Sequence, residues 1–589
     1  MEAGGGRAHS APRFSRSDVE RRRRLVRRGL PLLAGAGALA VAAGLLLGGG
    51  AGAAERATAQ RFATAWARGD YARMYALLDE PARARSSFAA FAAAYRDAAA
   101  TATLRALAVG KIGDRAGTAI PIRLTLRTRV FGTLRGVLEL PVSGSGDTMR
   151  IAWRPSAVFP GLQPGEQLTR QTALPTRASL LARDGTVLAG GDERRSDDPL
   201  VSGEIAGSLA SIPADQAGAF RALGYPPAER IGMNGLERVF QTQLAGRPGG
   251  TLLAGDRVLA RTAPRPGQPI RTTIDRKLER AAITALAGRY GGVAAMDPRT
   301  GEVLALAGVA FSALQPPGST FKIVTLTGAL ESHLATPKTT FPIEDATFLA
   351  GVRLENANGE FCGGTLANAF AVSCNSVFAP LGARLGARRL VNVAERFGFN
   401  APPTIAGAQG STIPSADAIG DDLAVGSSAI GQGLVQATTL QMTIVAATIA
   451  DRGLRPIPTL QVGTTPRFVR ATRPAVAREV AQMMRAVVAY GTGTAAAIPG
   501  AQVAGKTGSA ELASTVPPPD TKDQQAQQNP QQPPPRVPRT DAWFVAFAPS
   551  ARPRIAVGVL FPEAGAGGDV AAPAARGVLA AALQHGPGE

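Results

Sequence analysis

Pro316-Pro317-Gly318-Ser319-Thr320-Phe321-Lys322 stands between two kinds of sequence. Two prolines and a glycine stop the chain on one side. On the other, good helix formers run from Ile323 to Leu330 and on toward His333. The pattern predicts a helix with Ser319 at its N-terminus and Lys322 three residues on, on the same face. A serine hydroxyl within reach of an amine, at the positive end of a helix dipole, is one way to make a nucleophile.

Before this stretch a helix is expected from Arg271 through Asp275 to Ala287. Two strands, Gly292–Met296 and Glu302–Ala307, then flank the turn Asp297-Pro298-Arg299-Thr300-Gly301. After it, a mostly helical region reaches about residue 495. Strands return at Val503–Glu511, Ala542–Ala548 and Arg554–Phe561, and a closing helix runs from about Ala572 to Gln584. Strands from both ends around a helical middle imply one α/β/α domain over residues 269–589. Residues 513–540 interrupt it with Pro517 to Pro519, a glutamine run and Pro533 to Pro535, too polar and proline-rich for a packed core. They are expected to be a disordered insertion at the rim of the sheet, with a polyproline ligand as the alternative.

Further upstream, residues 1–28 form a basic tail, and Gly29 to Ala54 carries no charge and is rich in Leu, Ala and Val. Such a run spans a bilayer core of about 30 Å. Nine arginines precede it, so the expectation is a single-pass plasma-membrane anchor over residues 29–52, with a cytoplasmic N-terminus and everything after it outside. A cleaved signal peptide ending near Ala51-Gly52-Ala53 is the alternative. Residues 55–155 read as a small α+β spacer domain. Its helices are expected at Ala57–Arg68 and near Tyr71–Leu78, and its alternating strands at Ile120–Val130, Gly136–Val142 and Met149–Trp153. Residues 156–268 are β-rich and loop-rich. Arg177 to Gly185 reads as a strand into a turn, Gly235 to Gly249 as a short helix leaving through glycines, and Pro264 to Pro269 as a linker.

The chain has 589 residues, enough for roughly three or four domains. Its net charge of +20 owes much to the block Arg21–Arg24, Arg27 and Arg28, and no basic stripe interleaved with aromatics occurs elsewhere, which argues against a nucleic-acid partner. Lysine has nearly vanished: Lys111, Lys277, Lys322, Lys338, Lys506 and Lys522 remain. Arginine replaces lysine on a surface but cannot give up its proton, so surviving lysines are candidates for titratable amines. The histidines are His9, His333 and His585, which leaves His333 alone available to a Ser-His-Asp triad. With two cysteines, these histidines make no convincing metal site, and no cofactor is expected. Cys362 and Cys374, twelve residues apart, either pair outside the cytosol or stay as two buried thiols.

Three short motifs follow in order. Ser319-Thr320-Phe321-Lys322 supplies Ser-x-x-Lys, Ser373-Cys374-Asn375 supplies Ser-x-Asn, and Lys506-Thr507-Gly508 supplies Lys-Thr-Gly, each once in the chain. Alone each is weak; Ser373 could be a helix cap. Together and in order they carry the signature of penicillin-binding proteins and serine β-lactamases. Residues 156–589 resemble a class B penicillin-binding protein, a peptidoglycan D,D-transpeptidase. Ile430-Gly431-Gln432-Gly433 with Ala437-Thr438, and Asp541-Ala542-Trp543-Phe544, resemble further family segments. Residues 55–155 resemble the cone-shaped domain, related to nuclear transport factor 2, of methicillin-resistance-type transpeptidases. Ala178 and Ala182 depart from the family, which usually has Gly and often Asp there.

The resemblance implies a multidomain fold. It comprises a transmembrane helix, a cone-like α+β domain, a pedestal or dimerisation domain over 156–268, and a serine β-lactamase-like α/β/α transpeptidase domain. It implies that Ser319 attacks a D-Ala-D-Ala stem peptide, or a β-lactam, with Lys322 as base. An ordinary lysine pKa near 10.4 lies about 3.4 above neutral, so freeing that amine at pH 7 requires roughly 4.6 kcal/mol. Desolvation and a second positive charge from Lys506 both work in that direction. By the same resemblance Ser373 relays a proton and Asn375 holds the substrate amide. The N–H groups of Ser319 and Ser509 form an oxyanion hole, and Thr507 and Ser509, on either side of Gly508, bind the terminal carboxylate. A membrane glycan polymerase is the partner expected from family analogy. The alternatives are a carboxypeptidase or β-lactamase, in which water finishes the reaction, and a non-catalytic β-lactam sensor or scaffold.

Overall fold

A computed structural model describes residues 51–511 and 540–584. The basic tail, nearly all of the expected membrane anchor and all but Thr540 of the Pro/Gln-rich insertion lie outside the described residues. Among the described residues no helix is long and apolar enough to cross a membrane.

The chain divides into two compact units. The first takes residues up to Ala173, Ala214–Pro227 and Pro248–Pro264; the second takes Leu174–Pro213, Ala228–Arg247 and Arg265 onward. The stretch 156–268 is therefore not one body here: its parts are distributed between both units.

In the first unit, helices Ala51–Ala67, Tyr71–Ala76, Glu80–Arg85 and Phe88–Thr101 accompany an antiparallel sheet ordered Leu104–Ile112, Ala119–Thr128, Thr133–Ser143, Arg150–Ile151. Asp70, Asp79 and Ser87 cap the second, third and fourth helices by accepting the backbone N–H three residues on. Ile120, Ile122, Leu124 and Leu126 alternate into a core that also takes Phe62, Phe91, Tyr95 and Trp153. Trp153 Nε1 donates to Tyr95 Oη at 3.2 Å, and that hydroxyl donates to Ala157 O at 3.2 Å, so the buried polar tips are satisfied. Helix Phe88–Thr101 and strand Leu104–Ile112 were not foreseen from sequence. The helix is alanine-rich, and the strand's burial does not alternate cleanly.

The second unit is organised on a five-stranded antiparallel sheet. Its order is Val303–Gly308, Gly292–Met296, Ile555–Phe561, Thr540–Ala548, Ala504–Glu511. Alternation assigns its two faces to two cores. Val293, Phe544, Val557 and Val559 meet helices Arg276–Leu286 and Ala571–Gln584. Met296, Leu306, Trp543, Val545 and Leu560 meet the helical layer that includes Lys322–Glu331, Thr439–Ala450 and Pro474–Ala489. With both faces covered, the central strands are apolar except at Thr540 and Asp541, which is why they are legible as short apolar runs. The helical middle also contains two antiparallel excursions absent from the sequence reading: strands over 340–365 and the pair Leu454–Pro456 with Phe468–Arg470.

Within the second unit, Glu237 is buried and shared by two arginines: Arg177 Nε donates to it at 2.6 Å and Arg194 Nε at 2.7 Å. Truncating it leaves two largely buried guanidiniums without their carboxylate. Glu237→Ala is expected to lower unfolding stability by about 3–5 kcal/mol, read as a lower urea midpoint at unchanged slope.

Candidate active site

Ser319 lies not in an α-helix but in a 3-10 turn, Gly318–Phe321, directly ahead of helix Lys322–Glu331. In 3-10 geometry residues three apart lie above one another, and here the Lys322 backbone N–H donates to Ser319 O. The turn is held from behind. Gly318 N donates to Gly431 O at 2.9 Å, and a side chain on Gly431, whose φ is +76°, would meet Gly318 O at 2.1 Å. Gly318 has φ +51° and itself abuts Ser509 O and Ala510 N of the sheet's edge strand.

That edge strand carries Lys506, Thr507, Gly508 and Ser509 opposite Val545, Phe544, Trp543 and Ala542. The register aims Lys506, with Val545, at the helical layer. Gly508 is needed at its place, since a Cβ there would come within 2.9 Å of Pro317 O. The Ser-x-Asn motif sits on a turn after helix Leu366–Ala371, with Ser373 in the left-handed region at φ +65° and Asn375 opening helix Asn375–Leu385. A serine in that conformation is strained by about 1–2 kcal/mol, held by its surroundings.

The three motifs converge on Ser373. Lys506 Nζ donates to Ser373 Oγ at 2.8 Å and to Thr507 O at 3.0 Å. Lys322 Nζ donates to Ser373 O and to Asn375 Oδ1, both at 2.7 Å, and lies 3.5 Å from Ser373 Oγ. Among the described residues it makes no hydrogen bond to the Ser319 hydroxyl. Both lysines are fully buried, while Ser319, Ser373, Asn375 and Ser509 are partly exposed. Reactive hydroxyls thus face an opening and the amines stand behind them.

Burial without a carboxylate governs the two amines. Desolvation, and then the charge of Lys506, holds Lys322 well below the ordinary lysine range. Desolvation draws Lys506 down to about 7. Their walls are aromatic: the Phe378 ring centroid is 5.6 Å from Lys322 Nζ and that of Phe370 is 5.6 Å from Lys506 Nζ. These contacts favour the charged forms modestly, less than desolvation opposes them.

Several contributors were not singled out in the sequence. Asn356 is buried and ties strand ends to the Ser-x-Asn helix: Nδ2 donates to Glu344 O at 2.7 Å, and Ser376 N donates to its Oδ1 at 2.8 Å. Asn375 is engaged at both ends of its amide, since its Nδ2 also donates to Glu355 O at 2.9 Å. What remains for a ligand is the second hydrogen of Nδ2 and the second lone pair of Oδ1. Thr492 contacts Thr507, and Gly567 N donates to Ser509 Oγ at 3.3 Å. No local pattern marks these residues, because each acts across a long sequence separation. His333 ends the turn after helix Lys322–Glu331 and takes no part in the cluster. Cys362 and Cys374 form a disulfide, resolving the open choice at those positions. It joins the middle residue of Ser-x-Asn to strand Cys362–Thr365.

Comparisons with known proteins agree with this geometry. Residues 291–580 match the penicillin binding protein transpeptidase domain, and residues 53–166 match the NTF2-like N-terminal transpeptidase domain. The chain is 32% identical over 391 residues to the peptidoglycan D,D-transpeptidase PbpA of Mycolicibacterium smegmatis, spanning 55% of this chain and 74% of that protein. Among solved structures, the D,D-transpeptidase domain from Eggerthella lenta superposes with a TM-score of 0.55 at 29% identity, covering 70% of this chain and 99% of that one. The penicillin G acyl-enzyme complex of penicillin-binding protein A from M. tuberculosis gives 0.54 at 27% identity, covering 69% and 100%.

The disulfide closes a loop of twelve residues, for which chain entropy predicts about 3 kcal/mol of stabilisation. The Cys362→Ala/Cys374→Ala double variant is expected to unfold at correspondingly lower denaturant, and wild type kept in a reducing agent should approach it.

Proposed function

This chain belongs to the penicillin-binding protein transpeptidases, and we propose on that premise that Ser319 is its nucleophile, Lys322 its base and Ser373 its proton relay. It is a peptidoglycan D,D-transpeptidase that also binds penicillin covalently. The supporting observation is a count of hydrogens. A neutral lysine amine has two N–H groups and one lone pair. Lys322 directs N–H groups to Ser373 O and Asn375 Oδ1, both pure acceptors, at 2.7 Å. The lone pair is then left for a hydroxyl proton: Ser373 Oγ lies 3.5 Å away, and Ser319 is three residues back along the same turn, so on our reading it is the Ser319 proton that this lone pair accepts when substrate is bound.

The steps follow from that arrangement. Ser319 Oγ adds to the carbonyl carbon of the penultimate D-Ala, and its proton passes to Lys322 Nζ. The N–H groups of Ser319 and Ser509 hold the oxyanion. The C–N bond then breaks. Ser373 Oγ, which accepts from Lys506 at 2.8 Å, gives its own proton to the departing amine and is reprotonated from the lysines. The acyl group is now an ester on Ser319. An acceptor amine from a second stem peptide attacks it, Lys322 takes that amine's proton, and Ser319 leaves protonated. A β-lactam meets the same attack, but its cleaved amide stays tethered to the acyl group. Thr507 and Ser509 grip the substrate's terminal carboxylate, with Asn375 on the donor amide.

The wider setting is part of the same reading. Residues 29–52 anchor the chain in the plasma membrane with residues 1–28 in the cytoplasm, residues 55–155 are the spacer, residues 156–268, though divided between the two compact units, supply the non-catalytic pedestal, and residues 269–589 are the catalytic domain outside. A glycan polymerase in the same membrane makes the strands that are cross-linked.

Ser319→Ala is expected to abolish labelling by a fluorescent penicillin, and Lys322→Met to slow acylation by about 10²–10⁴-fold. Lipid-linked substrate with a polymerase should yield cross-linked dimers; hydrolysis alone would establish a carboxypeptidase instead. The acylation rate should rise with pH as Lys322 loses its proton, well below 10.4, and fall as Lys506 loses its own near 7. Lys506→Arg, which keeps its proton, should remove the alkaline fall.

A further inference from the structure

Thr492 belongs to none of the three motifs, yet its Oγ1 lies 2.5 Å from Oγ1 of Thr507. It follows helix Pro474–Ala489 and is tied to the end of helix Leu366–Ala371, where its N–H donates to Ala371 O at 3.1 Å. Its hydroxyl also lies 3.4 Å from that oxygen. Gly568 approaches from the other side: a Cβ there would stand 2.4 Å from Thr492 O and 3.8 Å from Thr507 Cγ2. Thr492 is exposed and Thr507 is buried.

Two hydroxyls in contact have one proton between them, and the direction of that bond decides what Thr507 offers a ligand. In one arrangement Thr507 donates to Thr492, and Thr492 donates to Ala371 O over the longer 3.4 Å contact. Thr507 then has no proton to spare. In the other, Thr492 donates to Thr507. Lys506 Nζ, 3.5 Å from Thr507 Oγ1, approaches a second lone pair. With both lone pairs addressed, the Thr507 proton turns outward. A carboxylate is a much stronger acceptor than a hydroxyl, and the bond surrendered at Ala371 is long and weak.

We infer that Thr492 is a positioning residue for substrate binding: its hydroxyl donates to Thr507 when a ligand carboxylate arrives, aiming the Thr507 proton at that carboxylate. The inference rests on the reading of Thr507 as a carboxylate grip and adds a partner to it. Thr492 is thereby assigned to recognition of the acid end of the ligand and not to the acylation step.

The test measures the dissociation constant of the pre-acylation complex, and the acylation rate constant separately, for benzylpenicillin and its methyl ester. Thr492→Val keeps the shape and removes the hydroxyl. It is expected to weaken binding of the acid about 3- to 10-fold, the size of one net hydrogen bond, with the ester and the acylation rate constant little changed. Thr492→Ser should restore wild-type binding, and Thr492→Val/Thr507→Val should match Thr507→Val alone. Equal weakening of acid and ester, additive losses in the double variant, or no loss in Thr492→Val would each overturn the inference; additivity would mean that Thr492 touches the ligand by itself. If Thr507→Val fails to narrow the gap between acid and ester, the carboxylate grip itself falls and takes the inference with it.

Discussion

Two lysines are buried beside one serine hydroxyl, and among the described residues neither pairs with a carboxylate. An unpaired buried ammonium is so costly that the group lowers its pKa instead. Lys322 and Lys506 accordingly hold fewer protons than surface lysines would at the same pH. Lys506, drawn down to about 7, exchanges its proton near neutrality, and Lys322 gives up its proton well below the ordinary lysine range. The remainder of the second unit can be understood as what keeps that pair dry, close together and aimed at Ser373.

The means are distributed over the chain. Sheet register aims Lys506 into the helical layer, and the 3-10 turn ends on Lys322, whose amine reaches Ser373 and Asn375. Asn356, the amide of Asn375 and the Cys362–Cys374 disulfide all fasten the Ser-x-Asn segment to residues 344–362. Ser373 sits at φ +65°, a position that relaxes unless such tethers hold it. Gly431 and Gly508 let backbone approach backbone: a side chain on Gly508 would force the Ser319 turn away from the edge strand, and one on Gly431 would collide with the turn at Gly318 O. Strain, tethers and close approaches gather around one hydroxyl, as expected where function competes with local stability.

Much of the fold was legible, for an identifiable reason. Strands Gly292–Met296 and Ile555–Phe561, and Thr540–Ala548 from Ala542 onward, are covered on both faces, so their sequences are short apolar runs. Helix Arg276–Leu286 announces itself by Asp275, which accepts the N–H groups of Lys277 and Leu278. The excursions over 340–365 were not legible. Their strands are largely exposed, as with Ile343, Phe348 and Val352, and an exposed strand has no buried face to impose alternation. Nor was the division of 156–268 between two units legible: strand Gly249–Ala254 pairs with Leu168–Ala173, while Arg177 and Glu237 meet in the other unit.

Sequence alone determined the identity of the chemistry. Motif order, the near-absence of histidine and the survival of a few lysines single out Ser319, Lys322, Ser373, Asn375 and Lys506 as candidates for it, because such chemistry calls for those residue types whatever holds them. Tertiary structure alone decided what each does to the others. Only the fold shows Lys322 committed to Ser373 O and Asn375 Oδ1, Asn375 engaged at both ends, and Thr492 against Thr507. The physical reason is that hydrogen bonds and desolvation act over a few ångströms, while these partners lie between 15 and 53 residues apart along the chain.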